Sequence, residues 1–175
     1  MTTRQSLRAD YAAISLGACS LALILGALGF QYLGGLAPCE MCHWQRWPHI
    51  AAALVGLVGG GFLPRRYGVP VVMATILLIL TSGFIGLYQT GMQYGLLPGP
   101  KACTVTHAFI LGAPAPPPPT FFESLFSGYG EGVRCDIPTW FFLGLAMPAW
   151  NAIISFALAI GALVMLTRGG DAEKA

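Results

Sequence analysis

The chain has 175 residues, 55% hydrophobic and only 9% charged, with a mean hydropathy of +0.68 and a formal net charge of +2. A soluble domain carries about 25% charged residues, so this composition belongs to a membrane protein built as one compact unit, residues 1–175. Nine scattered basic residues against seven acidic ones exclude the basic stripe that nucleic-acid binding needs.

The first long apolar run is Tyr11–Phe30. Crossing a bilayer takes roughly 17–25 helical residues, so it reads as a transmembrane helix. It is too long for the apolar core of a signal peptide, and no small-x-small site follows it cleanly. Its Ala and Gly residues suit close helix packing, and Cys19 near its middle reads as one more small packing residue.

Next comes Pro38-Cys39-Glu40-Met41-Cys42-His43-Trp44-Gln45-Arg46-Trp47-Pro48. It holds a Cys-x-x-Cys pair with a cation four residues past the second Cys. Pro48 leaves two readings: it opens the second helix as a residue with no donor to lose, or it kinks a helix that starts near Cys39. The second is preferred, because Cys42 and Arg46 then share a face at i, i+4. The second run, Trp47–Phe62, is short, with Trp44, Trp47 and Arg65 extending it into the interfaces.

The third run is Val69–Tyr88, and a long connection follows from Gly91 to Thr139. That connection carries Cys103 and Cys135, with the stiff spacer Ala113–Pro119 between them. Thr120 and Glu123 form a capping-box pattern, and Phe121, Phe122, Leu125 and Phe126 give the resulting short helix an apolar side that suits a membrane surface. Trp140–Met147 reads as a pre-helical segment on the outer surface, and Pro148 opens the fourth helix. The spans are placed at about 11–30, 44–63, 69–89 and 148–167, with outer loops at about 31–43 and 91–147. Arg4, Arg8, Arg65, Arg66, Arg168 and Lys174 fall on one side; Arg46, Lys101 and Arg134 fall on the other. By the positive-inside rule both termini are cytoplasmic and all four loop cysteines face outward.

Three chemistries compete for Cys39, Cys42, Cys103 and Cys135. Two inert disulfides would brace the outer loops of a non-catalytic four-span protein, although a Cys-x-x-Cys bridge closes too small a ring to stabilise much. A zinc site would take Cys39, Cys42, Cys103 and His107, with His43 and His49 in reserve, and would leave Cys135 over. The redox reading uses every outer cysteine. Thiolates form beside a cation or at a helix N-terminus, and two dithiols in series make an electron relay. In a bilayer the simplest terminal acceptor is a lipid-soluble quinone, with Arg46 stabilising developing negative charge. Trp44 and Trp47 then border the quinone head group or act only as interfacial anchors. His43 and His49 are expected at the surface, with proton shuttling as their alternative task.

Together these residues resemble the DsbB family of bacterial inner-membrane thiol:quinone oxidoreductases. The resemblance rests on four spans, Cys39-x-x-Cys42-x-x-x-Arg46, the loop cysteines Cys103 and Cys135, and Phe142-Leu143-Gly144-Leu145-x-Met147-Pro148-x-Trp150. It implies an all-α membrane protein, an antiparallel four-helix transmembrane bundle whose long periplasmic loop carries a short interfacial helix. It implies catalytic roles for Cys39, Cys42, Cys103 and Cys135. Cys103 would take the mixed disulfide with a DsbA-like periplasmic thiol oxidase, Cys135 would exchange with Cys39, and Cys42 would face ubiquinone or menaquinone beside Arg46. The DsbA–DsbB–quinone route is a known system that keeps the bacterial periplasm oxidising. The proline-rich stretch Ala113–Pro119 departs from the family pattern.

Overall fold

A computed structural model describes residues 3–100, 135–138 and 140–171. Cys103, the proline-rich stretch and the expected Thr120–Phe126 helix lie outside the described residues. The described part is mostly helical: α1 (Thr3–Tyr32), α2 (Glu40–Leu54), a π-helical turn (Val55–Gly59), α3 (Gly60–Phe62), a 3₁₀ turn (Arg65–Tyr67), α4 (Gly68–Gln93), strands β1 (Phe141–Phe142) and β2 (Leu145–Ala146), and α5 (Met147–Asp171).

Three helical stretches are long and apolar enough to cross a membrane: Ser6–Tyr32, Arg65–Gln93 and Met147–Thr167. Most of their exposed positions are apolar, as at Leu25, Leu77 and Ile160, so these helices fit a membrane protein. The run from Trp47 to Phe62 is also helical but not uniform. Pro48 sits inside α2, where it has no N–H for the Trp44 carbonyl, and the π turn follows α2 directly.

Small residues set how closely the helices pack. A Cβ on Gly56 would lie 2.5 Å from the Ala13 carbonyl oxygen, and one on Gly17 would lie 2.8 Å from the Leu57 nitrogen. The main core joins α1, α4 and α5 through Ala12, Leu16, Val72, Ile76, Ile79 and Ala159. Cys19 differs from the packing role expected of it: it is exposed on α1.

The segment read as merely pre-helical is a hairpin. Phe141 pairs with Ala146 and Phe142 with Leu145, antiparallel. Leu143 (φ 51°) and Gly144 (φ 78°) make the turn, both in the left-handed region that two-residue hairpin loops of type I′ require. Trp150 Nε1 donates to the Phe142 carbonyl at 3.0 Å, which ties the hairpin to α5.

Candidate active site

Helix α2 begins inside the motif. Cys39 is its N-cap, with extended backbone (φ −80°, ψ 169°), and its sulfur accepts from the Cys42 N–H at 3.3 Å. This cap satisfies one of the four orphan donors of the first turn. It also brings the sulfurs of Cys39 and Cys42 to 2.8 Å, as free thiols. Cys39 is 4% exposed and packs with Met41, Met92 and Cys135. Cys135 is disulfide-bonded and is 1% exposed. Neither Cys39 nor Cys42 takes part in that bond.

The end of α4 supplies polar contacts to both cysteine regions. Gln89 Nε2 donates to Cys39 Sγ at 3.2 Å, approaches Cys42 Sγ at 4.0 Å, and donates to the Cys135 carbonyl at 3.4 Å. Gln93 Nε2 donates to the same carbonyl at 3.2 Å. Gln89 therefore touches a residue of each expected redox pair.

The two thiols are unequal. Cys42, ahead of the apolar run, is pulled down to about 7, chiefly by the hydrogen bond from the Cys39 thiol, with help from Gln89 and the Arg46 charge against the cost of burial. Cys39 is raised, because it keeps the proton it gives to Cys42 and because it is buried. At pH 7 about half of Cys42 is thiolate, against about 3% of an unperturbed cysteine. Alkylation of the reduced motif by iodoacetamide should therefore rise about tenfold per pH unit below 7 and level off above it; a rise continuing past pH 8.5 would mean an ordinary thiol.

On its other side Cys42 opens on a cavity of about 280 Å³ between α1, α2 and α5. Its wall is mostly apolar, with Leu23, Ile24, Ala27 and Phe30 from α1 and Met147, Pro148 and Ile154 from α5. Polar side chains enter it from Gln45, Arg46, His49 and Asn151. Arg46 is 8% exposed, and its Nη1 donates to Gln31 Oε1 at 2.6 Å. The groups that interact electrostatically with it are Cys42, Tyr32 and Cys39, in that order.

Trp44 and Trp47 do not line this cavity; both are more than 40% exposed, which fits their anchor reading. Trp140 and Trp150 line it instead. Trp140 lies 5.0 Å from Phe30 and stacks on Phe142 at 5.9 Å, and Phe142 meets Trp150 at 5.9 Å, so four rings border the cavity. Their signal in the sequence was the Trp140–Trp150 segment, which Pro148 made look like a simple lead-in to a helix. His43 and His49, expected at the surface, are buried at 4% and 3% exposure. Their position within the helix that carries the motif turns them inward.

Residues 9–165 match the family model described as "Disulfide bond formation protein DsbB". A protein named "Disulfide bond formation protein B" from Aromatoleum aromaticum is 37% identical over 153 residues, covering 84% of this chain and 88% of the relative. One of the same name from Methylococcus capsulatus is 34% identical over 154 residues, covering 83% and 85%. Another from Sodalis glossinidius is 32% identical over 163 residues, covering 92% and 87%. With nearly the whole described helical core inside the match, the chain belongs to the DsbB family of disulfide bond formation proteins.

Proposed function

We propose that the protein is a thiol:quinone oxidoreductase of a bacterial inner membrane that reoxidises a DsbA-like, thioredoxin-fold periplasmic partner. The observation that carries this reading is the placement of Cys42: its sulfur lies 2.8 Å from that of Cys39, and its other side faces an apolar cavity beside a buried guanidinium. In this reading residues 44–63, from within α2 through the π turn and α3, form the remaining span, the second in chain order; both termini are cytoplasmic, and the cysteines lie in the periplasmic loops.

A partner thiolate attacks Cys103 of a Cys103–Cys135 disulfide, releasing Cys135 as thiolate. The partner's second thiol then takes the mixed disulfide, leaving the partner oxidised and Cys103 and Cys135 reduced. Cys135 attacks Cys39 of a Cys39–Cys42 disulfide and releases Cys42 as thiolate, and Cys103 resolves the Cys135–Cys39 bond. The outcome is a disulfide at Cys135 and free thiols at Cys39 and Cys42, which is the pattern present here. Thiolate character at Cys42 makes it the better leaving group in the exchange.

The cavity fits a flat, largely apolar ring with polar edges: an apolar wall, one buried cation, and amide and imidazole groups at fixed points. Cys42, Arg46, Gln45, His49 and Asn151 would hold such a ring, and Trp140 and Trp150 would border it. When bound, a quinone supplies a two-electron, two-proton acceptor that lets the Cys39–Cys42 disulfide re-form. The role of Arg46 is to stabilise negative charge at Cys42 and on the cavity side of it.

The direct test is the purified protein in detergent, mixed with a reduced thioredoxin-fold partner and quinone. One quinone should be consumed per partner dithiol oxidised. A partner that stays reduced under these conditions overturns the proposal and favours a disulfide-braced, non-catalytic membrane protein.

A further inference from the structure

Gln45, Gln89, Asn151 and His49 do more than border the cavity: they form one directional chain of hydrogen bonds that ends on sulfur. His49 Nε2 and Asn151 Oδ1 are 3.0 Å apart. Asn151 Nδ2 donates to Gln45 Oε1 at 2.8 Å, Gln45 Nε2 to Gln89 Oε1 at 2.6 Å, and Gln89 Nε2 to Cys39 Sγ at 3.2 Å.

Two backbone carbonyls fix the direction. The NH₂ group of Asn151 also reaches the Ser82 carbonyl at 3.3 Å, and that of Gln89 reaches the Cys135 carbonyl at 3.4 Å. A carbonyl only accepts, so neither amide can be flipped without losing a bond. The oxygen of Asn151 must then face His49, whose Nε2 carries the hydrogen, while Nδ1 lies 3.3 Å from the Ser20 hydroxyl. The chain draws on four helices: Ser20 on α1, Gln45 and His49 on α2, Ser82 and Gln89 on α4, Asn151 on α5.

We propose that Gln89 is the positioning residue for exchange between the two cysteine pairs, its amide held in one orientation by the His49–Asn151–Gln45 chain so that a single NH₂ group holds the Cys39 sulfur and the Cys135 backbone together. The proposal rests on the exchange route described above. Its main effect falls on the resolving step. There the Cys103 thiolate attacks Cys135, the Cys135–Cys39 bond breaks, the Cys103–Cys135 bond forms, and the electron pair leaves on Cys39. An N–H aimed at that sulfur stabilises the departing thiolate, and a better-stabilised thiolate leaves faster.

The experiment follows the Cys39–Cys135 species by acid quench and mass mapping after the oxidised protein is mixed with reduced partner, with quinone absent. Gln89→Leu should slow its decay about ten- to a hundredfold, the scale of one lost hydrogen bond to a charged group. Gln89→Glu keeps the shape but turns acceptors toward the sulfur, and should slow it at least as much. Asn151→Leu touches no sulfur and should still slow it a few-fold by freeing the amides to turn. A merely structural role for Gln89 would leave Gln89→Glu at the wild-type rate, and that result overturns the proposal. Wild-type decay in Asn151→Leu overturns the orienting chain. If the wild-type protein never forms a Cys39–Cys135 species, the exchange route itself fails, which is a different result from an unchanged rate.

Discussion

Replacing Arg46 with alanine is expected to lower quinone-dependent turnover about a hundredfold and to raise the quinone concentration needed for half-maximal rate, while partner binding persists. The guanidinium is 8% exposed and lies in a largely apolar wall. Its hydrogen-bond partner is the neutral amide of Gln31, and the strongest acidic influence on it is Cys42. Among the described residues no carboxylate forms an ion pair with it. A buried cation without a carboxylate is costly unless negative charge appears beside it, and a thiolate supplies that charge. Removing a preorganised charge of this kind costs about 10²–10³ in rate. The alanine variant should also shift the alkylation midpoint of Cys42 upward. Arg46→Lys keeps the charge but not the planar fork that reaches Gln31, so it should recover only part of the loss. Turnover measured against quinone concentration at saturating partner checks both, and an unchanged quinone dependence would remove Arg46 from the mechanism.

Serine at either cysteine of the motif should abolish turnover, yet the two variants should differ sharply as thiols. Two-electron transfer needs both sulfurs, so neither variant can re-form the disulfide. In Cys39→Ser a hydroxyl still stands where the thiol donated to Cys42, and Arg46 and Gln89 remain. Cys42 should then alkylate at neutral pH at close to the wild-type rate. In Cys42→Ser the remaining sulfur is the buried N-cap, which keeps its proton. Its alkylation should be at least about tenfold slower. Labelling of each reduced variant with iodoacetamide at pH 7, followed by mass spectrometry, distinguishes them. Equal rates would mean that the asymmetry of the pair does not come from the surroundings described here.

The helical architecture was legible because lipid leaves a chain few options. Long apolar runs with basic flanks mark α1, α4 and α5 by composition alone. The i, i+4 spacing of Cys42 and Arg46 foretold a helix starting in the motif, and α2 does begin at Glu40. The hairpin at 141–146 was hidden because its turn uses Leu143 at positive φ, where Asn or Gly would have signalled it. The polar chain was hidden for another reason. Ser20, Gln45, Ser82, Gln89 and Asn151 are far apart in sequence, and each alone looks like an incidental polar residue. Polar side chains inside apolar runs are expensive, so their presence was a signal; only packing shows that they meet. The exchange of Trp44 and Trp47 for Trp140 and Trp150 at the cavity has the same cause: position along the chain told which tryptophans were near the motif, not which faced the cavity.

The π turn at Val55–Gly59 fixes an angle as well as a length. It takes up one residue more than an α-turn would, and its own Gly56 and Leu57 rest on Ala13 and Gly17, so it sets the winding between that contact and the end of the helix that carries Cys42, Gln45, Arg46 and His49. Each residue in an α-helix advances the winding by about 100°. A chain shortened by a single residue there would keep its hydropathy profile yet rotate the motif by about that angle, turning the sulfurs away from the cavity. The direction in which the motif looks is thus counted out in residues, and no measure of greasiness can see it.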